Sequence, residues 1–232
     1  MTYMMGKFSI IAVLAGLALS PGASIAQSDL WKLFTDRGVD AYTRGDFASA
    51  AKLLDQALAE ARAHGPAGPG NLSVAISLEN LAALHDDAGA HEKAAPLYRR
   101  AVTAWEAVIG ARDVQFATKL NLVAVYFERR GKYDEAAGLF ARALDITEGY
   151  LGPNHSIVAG VLSKLAGVRR KAGIYPSAEK LFLRAIAIRE RAAGIKSPRL
   201  IRILQGYAEL LRATARDEEA ARVDARVASI RN

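Results

Sequence analysis

Residues 120–158 read LNLVAVYFERRGKYDEAAGLFARALDITEGYLGPNHSIV, and this stretch decides the fold. Leu120, Val123, Ala124 and Phe127 stand at i, i+3, i+4 and i+7, which is one face of an α-helix. Gly131 follows where a helix ends on a left-handed residue. A second stripe then runs at helical spacing through Tyr133, Ala136, Ala137, Phe140, Ala143 and Leu144. Ala124, Ala136 and Ala143 are small enough for two helix backbones to approach where leucine would hold them apart. A lone hairpin of this kind cannot bury both of its faces, so it needs neighbours.

The neighbours are further copies. The turn glycine recurs as Gly89, Gly131 and Gly173 at intervals of 42 residues, and Ala215 takes the next slot. An apolar residue eight places earlier recurs as Leu81, Val123, Leu165 and Tyr207. The alanine five places after the glycine recurs as Ala50, Ala94, Ala136, Ala178 and Ala220. The one twelve places after it recurs as Ala57, Ala101, Ala143 and Ala185, with Val227 last. A fixed period of this size means a solenoid, and the count is five hairpins. The expected fold is therefore all-α: a right-handed solenoid of about five helix-turn-helix hairpins.

The order Leu-Ala, Gly, Tyr, Ala, Phe, Ala resembles the tetratricopeptide repeat. The longer period, with NLAALHDDAG in one repeat and YLGPNHSIVAGVLSKLA at a junction, is similar to the kinesin-light-chain-like branch of that family. The resemblance covers residues 30–232, with the first and last repeats degraded, as terminal repeats are. HEAT repeats share the period range but do not explain the Gly-Ala-Ala spacing.

Residues 1–26 have the pattern of a secretory signal peptide. Lys7 precedes an apolar run over residues 8–19, Pro21 and Gly22 break any helix, and Ser24-Ile25-Ala26 offers a small-x-small cleavage site. The run is short for a membrane span, and no cysteine follows it to carry a lipid. Cleavage before Gln27 would leave residues 27–232 as a single solenoid domain, exported and, in a bacterial host, periplasmic. The chain has no cysteine, so an exported protein of this sequence is stabilised by burial rather than by disulfides.

Charge is unevenly placed. Residues 27–114 carry 9 basic and 12 acidic side chains, whereas residues 115–232 carry 21 basic and 12 acidic ones. The carboxyl-terminal half is thus expected either to be a solvated, arginine-rich surface or to face something anionic. An export signal argues against nucleic acid, and an acidic protein segment, lipid headgroups or a cell-wall polymer fits better.

The search for chemistry is negative. His64, His85, His91 and His155 show no i, i+4 pair, and without cysteine no zinc motif exists. Asp86 and Asp87, adjacent on a helix, are expected to be solvated. The Gly-rich stretch 65–70 is interrupted by proline and lacks the following Lys-Ser/Thr of a phosphate loop. The expectation is no catalytic residue, no metal and no cofactor.

In the family resembled, the first helix of each hairpin lines a concave groove. Carried over by position, that implies Asn80, Asp86 and Asp87 in repeat two, and Asn121, Glu128 and Arg129 in repeat three. It implies Ser163, Lys164, Arg170 and Lys171 in repeat four, and Arg202, Gln205 and Arg212 in repeat five. Asparagine can donate to and accept from a peptide backbone, and arginine can grip carboxylates in bidentate fashion. The Lys/Asn clamp that some members use for a chaperone's terminal carboxylate is not reproduced as a set. The function implied is a non-catalytic adaptor that binds a partner protein segment in a groove with a basic carboxyl-terminal half. The alternative is a structural subunit or assembly factor of an envelope complex, docking by its convex face or ends.

Overall fold

The computed structural model describes residues 25–64 and 71–231. The leader expected over residues 1–26 lies outside them except for Ile25 and Ala26, and the loop expected over residues 65–71 does so except for Asn71. Among the described residues the chain is all-α, with no strand. The helices are α1 (Ile25–Thr43), α2 (Phe47–His64), α3 (Leu72–Asp87), α4 (His91–Ile109), α5 (Val114–Arg129), α6 (Tyr133–Leu151), α7 (Ser156–Lys171) and α8 (Tyr175–Ala193). A 3-10 turn, Pro198–Leu200, leads into α9 (Ile201–Ala213), and α10 (Asp217–Arg231) follows. These are the five hairpins that the period predicts, in an all-α helical repeat fold. No described helix is long and apolar enough to cross a membrane. The chain forms two compact units, one ending at Val108 and the other beginning at Ile109.

In the amino-terminal unit α1 packs on α2, and α2 on α3. Ala41, Ala50, Leu54 and Ala57 are buried along the first hairpin, whereas Arg37 is exposed. Gly38 is a point of close approach, because a Cβ there would stand 2.9 Å from Leu54. Trp31 reaches from α1 to α3, its indole donating to Ser77 Oγ at 2.9 Å. Asp86 departs from the sequence expectation: it is buried, not solvated, and its carboxylate lies 3.1 Å from His91 Nδ1. The α3–α4 turn brings the two together, and a buried carboxylate requires such a partner. Asp87 is exposed and accepts from the Tyr42 hydroxyl. Burial pushes the half-buried His85 imidazole below its ordinary pKa, aided by nearby Lys93.

In the carboxyl-terminal unit each helix packs on the next, and α7 also meets α9. The stripe expected on α5 is buried at Leu120, Val123, Ala124 and Phe127. Its counterpart on α6 is buried at Ala136, Ala137, Phe140, Ala143 and Leu144, with Tyr133 half-buried. Every alanine seven places before a turn residue, Ala82, Ala124, Ala166 and Ala208, is 0% exposed, so the repeat reserves that slot for close helix approach. A bulky slot also repeats, as Leu54, Tyr98, Phe140 and Phe182, all fully buried or nearly so. In the last repeat Asp224 takes that slot and pairs with Arg212, which is how α10 comes to be polar.

The helix ends follow from local chemistry. Four residues at intervals of 42 cap the first helices although they share no side-chain type. Asn71 Oδ1 accepts from Val74 N at 3.2 Å and Asp113 Oδ1 from Gln115 N at 2.7 Å. His155 Nδ1 accepts from Ile157 N at 3.2 Å and Ser197 Oγ from Arg199 N at 3.4 Å. Each satisfies an amide that the helix leaves free. His155 is thus a structural cap, and Ser197 opens the 3-10 turn before α9. At the other end Gly131 has φ 70°. Its amide donates to Glu128 O at 3.1 Å, and that of Lys132 donates to Phe127 O at 2.9 Å. These two bonds are the six-to-one and five-to-two closure of a left-handed helix terminus.

Ala215 makes the same closure at φ 57°, with Arg216 N donating to Leu211 O at 2.9 Å. A Cβ in this region costs about 1–2 kcal/mol, which outweighs the extra chain entropy that glycine loses on folding, about 0.5–1 kcal/mol. Ala215→Gly is therefore expected to stabilise the protein by about 0.5–1 kcal/mol, raising Tm by about 1–4 °C for a chain of this size. A calorimetric scan of both proteins checks this, and an unchanged or lower Tm would show that Ala215 carries no strain.

Candidate partner-binding site

The first helices α5, α7 and α9 carry nine of the ten residues expected to bind a partner, and Asn80 on α3 belongs to the amino-terminal unit, where it is half-buried. The structure divides the nine by what already holds them. Lys171 Nζ is 2.8 Å from Glu128 Oε1, joining α7 to α5. Arg170 lies 2.6 Å from Glu209 Oε2, joining α7 to α9. Arg212 is paired with Asp224 of α10. Four of the expected residues, Glu128, Arg170, Lys171 and Arg212, thus satisfy one another or a neighbouring carboxylate. Arg129 and Gln205 are exposed.

Much of the basic excess of this half is internal for the same reason. Arg184 pairs with Glu148 at 2.7 Å and Arg226 with Glu190 at 2.5 Å. Arg216 bridges Glu179 and Glu219, at 2.7 Å from each. Those carboxylates hold the guanidinium well above the ordinary arginine range. Tyr207 donates to Glu179 Oε1 at 3.1 Å, and burial raises its pKa. The first of these contacts joins α8 to α6, and the others fasten α8, α9 and α10 together. They are exposed or half-exposed, and each such pair contributes little on its own.

The remaining expected residues gather differently. Asn121 and Lys164 lie at a cavity of about 420 Å³ lined also by Ser156, Ile157, Gly160, Val161, Arg189 and Arg199; Arg202 is not part of that lining, although its charge acts on Lys164. Asn121 Nδ2 donates to Ala117 O at 2.9 Å, while its buried Oδ1 has no hydrogen-bond partner. Lys164 Nζ lies 6.0 Å from the centre of the Phe140 ring. Burial and then the Arg202 charge push the Lys164 ammonium down, with Glu128 acting the other way. Burial and then Arg199 lower Arg189 likewise. Among the described residues no carboxylate pairs with Arg189, Arg199 or Arg202. This cavity can attract an anion and accept a hydrogen bond at Asn121; it holds no nucleophile paired with a base.

Sequence reasoning missed Arg189 and Arg199, because one is on a second helix and the other is in a connecting turn. Slot comparison could have found Arg189. Its equivalents one and two repeats earlier are Thr147 and Trp105, both buried with satisfied donors. An arginine in a slot elsewhere filled by a core residue is the available signal.

Comparison with known proteins bears on the fold. Two sequence models described as tetratricopeptide repeat match this chain, one over residues 157–232 and the other over residues 74–114 and 116–157. No curated protein sequence matches the chain. Among solved structures it is similar to the nearly identical TPR-like repeats of a putative kinesin light chain from Podosopora anserina. The TM-score is 0.73 at 18% identity, over 90% of this chain and 97% of that one. It is similar to BtubC (BKLC) from P. vanneervenii with a TM-score of 0.68 at 24% identity, over 88% of this chain and 80% of that one. It is similar to the MamA protein with a TM-score of 0.57 at 18% identity, over 88% of this chain and 92% of that one. At these identities the likeness is one of fold.

Proposed function

The chain belongs to the tetratricopeptide repeat family, with the fold of kinesin-light-chain-like repeats, and we propose that it is a non-catalytic scaffold holding a partner protein segment along α5, α7 and α9. The segment carries acidic residues where it meets repeats four and five. The observation that supports this most directly is the cavity between Asn121, Lys164, Arg189 and Arg199, where among the described residues no carboxylate forms an ion pair with these cations. A preformed stack of hairpins keeps the ordering cost of binding low on the protein's side. The leader pattern in residues 1–26 supports a partner in the bacterial envelope.

The test is capture from an envelope extract by purified residues 27–232 at low and high salt, with the bound proteins identified by mass spectrometry. One discrete partner, released as salt shortens the screening length from about 10 Å to about 3 Å, is the expected result. Charge reversal at Arg170 or Arg212 would break the built-in pairs to Glu209 and Asp224. Lys164→Glu, free of such a pair, is the cleaner variant and should lose capture. Recovery of nothing but further copies of this chain would sink the adaptor reading in favour of a structural subunit.

A further inference from the structure

We propose that one edge of the carboxyl-terminal unit, formed by the α6–α7 and α8–α9 turns, docks on an anionic phospholipid surface. Tyr150, Ile157 and Ile195 enter the headgroup layer, and Arg191, Lys196 and Arg199 meet the phosphates. This contact is additional to the scaffold proposed above and does not depend on it.

The apolar exposure is concentrated. Among the described residues the three most exposed large hydrophobic side chains are Tyr150 and Ile195, each 66% exposed, and Ile157 at 54%. Tyr150 and Ile157 flank the α6–α7 turn, and Ile195 stands in the α8–α9 turn. The two turns lie side by side. Arg191 Nη2, at the end of α8, donates to Asn154 Oδ1 at 3.3 Å, and Ile157 and Arg199 line the same cavity. Scattered exposed apolar residues are ordinary, but a cluster rimmed by polar groups marks an interaction surface. The turns are also braced. Arg184 pairs with Glu148 and donates to Pro153 O at 3.1 Å. In the next repeat Arg226 pairs with Glu190 and donates to Ile195 O at 3.1 Å. Ile195 is thus presented on a fixed backbone, so burying it in a partner costs little ordering.

Charge decides the partner. Residues 149–163 and 191–208 contain no Asp or Glu, while the second stretch carries Arg191, Lys196, Arg199 and Arg202. The carboxylates that precede the two stretches, Glu148 and Glu190, are the ones the braces occupy. Arg191, Lys196 and Arg199 are exposed, and among the described residues no carboxylate pairs with them. An anionic bilayer supplies partners for both kinds of side chain across one surface. Phosphates lie at the depth of the cations and of the tyrosine hydroxyl, and the acyl boundary below them takes the isoleucines. A strongly acidic protein segment would supply only the first.

The chain has no cysteine, so single cysteines in the full chain can carry an environment-sensitive dye. Tyr150→Cys and Ile195→Cys report on the proposed edge. Ile174→Cys, 38% exposed at the other end of α8 and about 28 Å away, is the control. The labels at 150 and 195 should shift to the blue with vesicles of phosphatidylglycerol and phosphatidylcholine, and not with phosphatidylcholine alone. The label at 174 should not shift with either. One cation near an anionic surface changes affinity about fivefold, so Lys196→Glu, which alters the charge by two, should raise the lipid needed for half the shift at 150 by about 25-fold. Ile195→Ser, read at the same label, should raise it by about tenfold or more. Circular dichroism melts confirm that the variants fold. Equal shifts at all three sites, shifts on neutral vesicles, or a half-point unmoved by Lys196→Glu overturns the inference. So does a shift at 150 and 195 brought about by an envelope protein fraction but not by vesicles, which would make the partner a protein. The two readings fail separately: protein capture by folded Lys196→Glu leaves the scaffold standing whatever the vesicles show.

Discussion

Phe140→Ala is expected to lower stability by about 3–5 kcal/mol, the range for truncating a fully buried aromatic ring. Phe140 is 0% exposed on α6, flanked along its own helix by buried Ala136, Ala137 and Ala143. Alanines cannot move in to fill the space, because their backbones are held by helical hydrogen bonds and their side chains have nothing to extend. The cavity term therefore adds to the lost transfer energy. The ring also lies under Lys164, whose ammonium is 6.0 Å from its centre, so the variant should loosen the candidate site as well. Urea unfolding followed by circular dichroism measures the effect as a lower midpoint. Because a repeat stack is stabilised by contacts between neighbouring repeats, the loss should broaden the transition of the carboxyl-terminal unit. A loss under about 1 kcal/mol would mean that this slot repacks and is not the centre of the unit's core.

Ala143→Leu has the opposite cause and is expected to cost about 1–3 kcal/mol by overpacking. Ala143 is 0% exposed, and it accepts the Thr147 hydroxyl at its carbonyl at 2.6 Å. The added carbons have no void to enter, so either α6 moves away from its neighbour or the leucine takes a strained rotamer. Ala136→Leu, at another 0% exposed alanine two helical turns earlier on α6, should behave alike. An unchanged Tm in both variants would contradict the close approach of helices at the alanine slots.

The period, the paired stripes, the positive-φ turn and the alanine slots were all legible in residues 120–158 and their copies. They are local properties: 3.6 residues per turn fix which side chains share a face, and a helix terminus that closes on a left-handed residue selects glycine. Even the exception, Ala215, obeys the backbone geometry of its slot. The capping series Asn71, Asp113, His155 and Ser197 was hidden, because four different side chains can accept the same amide hydrogen bond. A search for recurring letters does not see a recurring function.

The sequence by itself determined the hairpin, its repetition and the basic bias of the carboxyl-terminal half. Only the tertiary structure decided which charges are available. Arg170, Lys171 and Arg212 look like free groove cations in the chain, yet each meets a carboxylate from another helix. Arg189 and Arg199 lay outside the expected set and turn out to line the cavity. The physical reason is distance along the chain. Ion pairs such as Lys171 with Glu128 and Arg216 with Glu179 join residues 43 and 37 positions apart. Whether they form depends on how one hairpin is offset against the next, and packing sets that offset, not the helical period.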